Sequence, residues 1–259
     1  MSFISVLLAL LLEQAKPLAR GNPVHLLVQS WVGWCSRNLD GGKGSTNWLT
    51  LGVALFIPTF LTMIGFQIAG SLGGWFLMLV WSVAVLYLCL GFRQFSFHFS
   101  QIREAMMLGK LDDAWQKFAR WQRLDDKPTS EQDLVGKLIE ASTLAAHRHV
   151  FGVLTWFAIG AALGLGPSGA VFYRVAEMIG RYWSFGPAQA GEHLVSESLG
   201  VDTREMWHWV DWLSARATAV GFAVVGNFED ALEGWRAWLK TASDRKSTRL
   251  NSSHQIISY

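Results

Sequence analysis

A set of ionisable side chains gathers near the ends of apolar segments: Glu140, His147, His149, Arg174, Glu177, Arg181, Glu192, His193, Asp211 and Arg216. Carboxylates and imidazoles can move protons, and guanidinium groups can hold carboxylates or phosphates. Such groups are costly beside a bilayer, so each is a functional candidate. Arg174 and Glu177 lie three residues apart on one helical face, as do His208 and Asp211. The simplest reading of both is a local pair whose members satisfy each other. Glu140 and His147, seven apart, share a face two turns distant. Arg216 precedes an apolar segment and has no acid four residues to either side. It suits a phosphate or carboxylate ligand, or a lipid headgroup reached by snorkelling.

Other chemistries are excluded. The chain has no HExxH, CxxC, GxSxG or dinucleotide fingerprint, and no metal site is expected. Residues 40–45, DGGKGS, lack the spacing of a phosphate-binding loop. Cys35 and Cys89 match no metal or redox pattern, and Cys89 reads as an inert buried thiol. A formal net charge of +2 with no aromatic-basic pattern argues against a nucleic-acid partner.

The elements that must position these residues read as membrane helices. Of 259 residues, 51% are hydrophobic and 16% charged, with fourteen Trp and a mean hydropathy of +0.24. Soluble domains carry about 25% charged residues, and Trp concentrates where apolar and wet surfaces meet. Residues 48–69 and 74–92 are two uncharged runs on either side of Gly70-Ser71-Leu72-Gly73. Each has the ~20 residues a bilayer asks of a helix, so 48–92 reads as a transmembrane hairpin, with Pro58 as a kink. Residues 1–12 are apolar up to Glu13 and too few to cross as a straight helix, with no cleavable-signal pattern. Lying at the interface and spanning with help from neighbours both fit. Asn22 and Pro23 suit the cap and first turn of an amphipathic helix over 23–35.

The connections 13–47 and 93–149 both carry Lys and Arg and share one side of the hairpin, which the positive-inside rule makes cytoplasmic; in 93–149 acidic residues nearly balance the basic ones, so it reads as a solvated domain. In the second, Leu111, Trp115, Phe118, Trp121 and Leu124 repeat at helical spacing. Ser130 is placed to cap a helix from Glu131 through His149. Residues 150–183 read as an apolar helix broken at Gly166-Pro167-Ser168-Gly169 and resuming as an amphipathic one. Residues 184–206 read as irregular, 206–226 as a Trp-rich helix entering from a surface, and 227–240 as an amphipathic helix. The pattern GNFEDALEGWRAW echoes GKLDDAWQKFARW, as two independently similar amphipathic helices would, or else a remote internal repeat. The expected architecture is an all-α polytopic integral membrane protein with amphipathic interfacial helices and a cytoplasmic helical connection. It forms a single membrane domain over 1–243. Residues 244–259, DRKSTRLNSSHQIISY, drop every earlier pattern and resemble the translation of a sequencing adapter. They are expected to be non-native, with the natural C-terminus missing.

GPSGAVFYR (166–174) and VDWLSARATAVGFAVVG (210–226) resemble the paired signatures of the CobD/CbiB and AmpE membrane proteins, a G-x-x-GA-x-x-YR segment followed by a D/N-W-x-x-ARLTA segment. Asn22-Pro23-Val24 resembles the HPV motif of the CobD/CbiB group, and the resemblance covers most of residues 1–240. It implies a bacterial inner-membrane protein of cobalamin biosynthesis. The implied reaction is amide-bond formation between adenosylcobyric acid and aminopropanol or its phosphate, with ATP and Mg²⁺ needed by an active synthase. Membrane lipid and a corrinoid substrate are the implied partners. Catalytic roles are implied for Glu140, Arg174 and Arg216, and substrate-binding roles for Asn22, Tyr173 and Asp211. Three positions depart from the pattern: Asn22 stands where the group has His, Ser214 where Pro is usual, and IEASTLAAHRHVFG (139–152) where it has AEN-x-x-D-G. The alternative is an AmpE-like, non-catalytic membrane sensor or regulatory protein, a group that shares the signatures without that acidic segment.

Overall fold

The computed structural model describes residues 2–16, 23–42, 44–122, 130–184 and 195–225. Among them every regular element is helical. The chain divides into two compact units, Met1–Ser214 and Ala215–Tyr259.

The first unit opens with α1 (Ser2–Ala15) and α2 (Pro23–Leu39), the latter starting at Pro23 as its fixed φ favours. The helix α1 runs past Glu13, and its buried residues Ser5, Ala9 and Glu13 form a narrow stripe at i, i+4, i+8. Its large apolar side chains, Phe3, Leu7, Leu8 and Leu11 among them, face outward. This inverts the arrangement of a water-soluble helix.

The apolar pair is α3 (Gly44–Cys89), among the described residues the one helix long and apolar enough to cross a membrane. The reversal comes at Gly73–Gly74, a few residues later than the sequence implies, with Gly74 at φ 58°. The limbs fold back on each other, and Trp81 Nε1 donates to the Thr62 carbonyl at 3.2 Å. The second limb, residues 75–89, ends early and measures about 22 Å at roughly 1.5 Å per residue. Pro58 is accommodated inside the first limb.

The connection 93–149 becomes a lobe of α4 (Phe92–Met107), α5 (Leu111–Gln122) and α6 (Glu131–Ala146). It has its own small core of Ile102, Ala105, Ala114, Phe118, Leu134 and Leu138. As the sequence implies, Ser130 caps α6 and accepts the Asp133 N–H at 3.2 Å. Leu124, the last of the apolar repeat, lies outside the described residues.

Beyond α6 the helix does not stop. It passes through a π-helical turn, His147–Phe151, into α7 (Gly152–Ala162). The expected break at 166–169 is a complete reversal, and α8 (Ser168–Ile179) returns antiparallel to α7. Contact is backbone on backbone: a Cβ at Gly169 would run into the Trp156 carbonyl. A second π-helical turn, Gly180–Ser184, follows α8.

The last described helix is α9 (Glu197–Val225), which begins well before the Trp cluster. Residues 197–205 read as irregular because Gly200 weakens the local helical signal; tertiary contacts decide otherwise. Ser196 Oγ accepts the Leu199 N–H, while Asp40 accepts from the Ser196 N–H at 2.8 Å and hydroxyl at 2.7 Å. Asn47 Nδ2 also donates to Asp202 at 2.7 Å. These bonds pin the start of α9 to the α2–α3 junction. In the second unit, the described residues 215–225 are helical, with Thr218 buried and Val220 exposed. The amphipathic helix expected over 227–240 and the segment 244–259 lie outside the described residues.

Candidate functional site

The chemistry gathers on α8 and the π-helical turn that follows it. Arg174, Glu177 and Arg181 recur at i, i+3 and i+7, one turn apart on one face. Glu177 is the buried member, with 3% of its side chain exposed. Arg174 Nη1 donates to Glu177 Oε2 at 3.4 Å, and Arg181 Nη2 donates to Oε1. Burial alone would raise the Glu177 carboxyl; the charges of Arg174 and Arg181 overcome it and hold the group below its ordinary value. The pair expected between Arg174 and Glu177 therefore forms, as the inner part of a three-residue cluster.

The π-helical turn His147–Phe151 brings in two imidazoles. Arg174 Nη1 donates to His149 Nδ1 at 3.0 Å. Burial first, and then the Arg174 charge, pushes His149 down to about 3, so it is a neutral acceptor at physiological pH. Its ring lies against Gly91, just past the end of α3. His147 Nε2 donates instead to Asp211 Oδ1 at 2.8 Å.

That bond corrects the second expected pair. Asp211 turns away from His208 and accepts from both His147 and the Tyr173 hydroxyl, the latter at 3.1 Å. His208 is exposed, with an edge contact to Trp209. The local pair loses because two buried donors, His147 and Tyr173, need an acceptor, and an exposed imidazole does not. Tyr173 is fully buried, its ring 5.6 Å from that of Trp207. It fits only because residue 152 is glycine: a Cβ there would overlap the phenol ring. Trp156 Nε1 adds a bond to the Val210 carbonyl at 3.2 Å, so α7, α8 and α9 are tied around Asp211.

One residue escaped the sequence reading. His25, largely exposed near the start of α2, is held below its ordinary pKa by partial burial and then by the charges of Arg174 and Arg181, with Glu177 opposing. A neutral imidazole therefore stands within the field of the cluster. Its signal was position: it follows Asn22 by one helical turn in the segment Asn22-Pro23-Val24-His25.

Glu140 is exposed on α6 and makes no ion pair with a described residue. Arg216, half-buried, belongs to the second unit. Asn22, Glu192 and His193 lie outside the described residues. The cluster thus holds two guanidinium groups against one carboxylate, with neutral imidazoles beside them. Such a surplus of positive charge can orient a carboxylate or phosphate, and His25 can accept a proton.

The sequence model of the family described as CobD/Cbib protein matches residues 3–256. That match takes in residues 244–256, part of the segment expected to be non-native. The chain is 28% identical over 156 residues to a protein of Chromobacterium violaceum named cobalamin biosynthesis protein CobD, covering 60% of this chain and 46% of the relative. It is 25% identical over 243 residues to a protein of the same name from Stutzerimonas stutzeri, covering 90% of this chain and 73% of that relative. The chain therefore spans less than half the length of the first relative and about three quarters of the second. No solved structure matches it.

Proposed function

Because the chain belongs to the CobD/Cbib protein family, we propose that it serves cobalamin biosynthesis as a membrane-bound ligase of the adenosylcobinamide-phosphate synthase type. It joins a carboxylate of adenosylcobyric acid to the amine of aminopropanol or its phosphate. The observation that carries this reading is the cationic cluster Arg174–Glu177–Arg181, which begins at the end of the segment GPSGAVFYR and whose charges reach His25.

Amide formation brings a carboxylate and an amine together, and the carboxylate must lose an oxygen. ATP as cosubstrate supplies the phosphoryl group that takes this oxygen away. The chain's own residues orient and neutralise. Arg174, kept in place by Glu177 and His149, presents its guanidinium to the carboxylate. His25, neutral at pH 7, takes the proton that the ammonium must give up before it can attack. Asp211, Tyr173 and His147 hold α8 and α9 in register behind the reacting groups. A protein-held Mg²⁺ does not fit these residues. Among the described residues no group of three His, Cys, Asp or Glu side chains converges, and Glu177 and Asp211 are already engaged.

Placement in the bacterial inner membrane follows the same reading. The two limbs of α3 cross the bilayer, aided by the outward-facing apolar side of α1. The lobe α4–α6, which carries Lys and Arg where the turn of α3 has none, and the cluster lie on the cytoplasmic side, where His149 meets the end of α3.

A second reading, an AmpE-like sensor or regulatory role without catalysis, draws support from the engagement of both site carboxylates and from the single acid, Glu140, in 139–152. Complementation of a strain lacking the synthase separates the two. Rescue of corrinoid-dependent growth, lost with Arg174→Ala, supports the ligase; no rescue by the intact gene rejects it.

A further inference from the structure

Between α2 and the π-helical turn Gly180–Ser184 lies a groove of about 510 Å³ that shares no residue with the Arg174–Glu177–Arg181 cluster. Its polar wall carries Gln29, Ser30, Ser36 and Arg37; Tyr182 and Trp183 supply aromatic surface. The volume lies within the roughly 300–1,000 Å³ of small-molecule sites.

Arg37 stands out. It makes no ion pair with any described residue, and the side chains of Gln29 and Ser30 likewise have no hydrogen-bond partner among them. A cation in the last turn of a helix suits the helix dipole, which accounts for its charge there but not for its direction. Its side chain folds back over Gly33, where a Cβ would stand 3.2 Å from Nη1. The missing side chain at 33 therefore lets the guanidinium lie along α2 as part of the groove wall. A planar fork of N–H donors next to a free amide and a free hydroxyl matches the oxygens of a phosphate. The neighbouring rings offer apolar cover to whatever the phosphate is attached to.

We infer that this groove is a second anion site, which takes the phosphate group of a small amphipathic molecule through Arg37, Ser30 and Gln29. A soluble phosphate ester and a phospholipid headgroup present the same chemistry. The inference does not depend on the ligase reading, because binding is its readout.

The test is isothermal titration of the full chain in a neutral detergent, first with glycerol 3-phosphate, then with mixed micelles carrying phosphatidylglycerol. A saturable site that depends on Arg37 is expected, weakened about tenfold by Arg37→Gln, which removes a charge-assisted pair. Gly33→Leu, which favours the helix while displacing the guanidinium, is expected to weaken it similarly. Arg174→Ala is expected to leave it within about threefold, since that residue belongs to the other cluster. Arg37-dependent binding of glycerol 3-phosphate identifies a soluble ligand; such binding of phosphatidylglycerol alone identifies a headgroup. No saturable binding of either, or equal binding by the wild type and Arg37→Gln, overturns the inference.

Discussion

Trp31 donates its indole N–H to the carbonyl of Ala54 at 3.1 Å. Pro58, four residues on, has no N–H to give that carbonyl. The proline that should weaken α3 thus creates the acceptor that fastens α2 to it, and α2 carries both His25 and Arg37. Trp31→Phe is expected to cost about 1 kcal/mol by leaving a buried carbonyl unpaired. In a Pro58→Ala background the helix supplies its own donor and the cost should largely vanish. Thermal unfolding of the four proteins in detergent measures this coupling; equal losses in both backgrounds would mean the bond contributes nothing.

Gly152 and Tyr173 are a matched pair. Gly152→Ala forces the buried ring to move and is expected to destabilise by about 1–3 kcal/mol, as overpacking does. Tyr173→Phe keeps the shape and loses only the bond to Asp211, about 1 kcal/mol. If Gly152→Ala proves the milder change, α7 and α8 are not in the contact described.

Acid should loosen the cluster, for two reasons of the same sign. His149 has its pKa lowered to about 3 from an ordinary 6.5. Its contribution is complete above pH 6.5 and is lost progressively as pH falls, because the unfolded chain binds a proton that the folded one refuses. Glu177, also lowered, contributes fully above the ordinary carboxylate range and loses this as pH falls through its folded value. His149→Asn keeps an acceptor for Arg174 without the titration. It should flatten the dependence of melting temperature on pH between about 4.5 and 6.5. An unchanged slope would place the titrating group elsewhere.

Removing the charge of Glu177 leaves two guanidinium groups facing each other. Glu177→Gln is expected to cost about 2 kcal/mol, below the ~3–5 of a wholly buried pair, because half of the Arg181 side chain is exposed. Adding Arg174→Met should recover part of this loss. A Glu177→Gln protein that melts like the wild type would show that solvent screens the cluster.

His25→Gln separates proton transfer from binding. Amide formation by purified protein is expected to fall about 10²-fold in kcat with little change in KM. The acid limb of the rate profile, which a lowered His25 places below pH 6.5, should disappear. A rise in KM alone would make His25 a binding residue.

Local patterns carry their own structural consequences, and those were readable in the chain. Length and apolarity mark the two limbs of α3, Ser130 and Asp133 cap α6, Pro23 starts α2, and Arg174 and Glu177 pair because a helix puts residues three apart side by side. What depends on distant partners was not readable. Asp211 pairs with His147, 64 residues away, in place of His208, three away, because buried donors outcompete an exposed one. Ser196 starts α9 early because Asp40, 156 residues distant, holds it. His25 becomes part of the site only when α2 is laid against α8, and the break at 166–169 becomes a reversal only because Gly169 admits the Trp156 carbonyl. Helical periodicity determines which residues share a face; which face meets which is decided by burial and by hydrogen bonds that close across the folded chain.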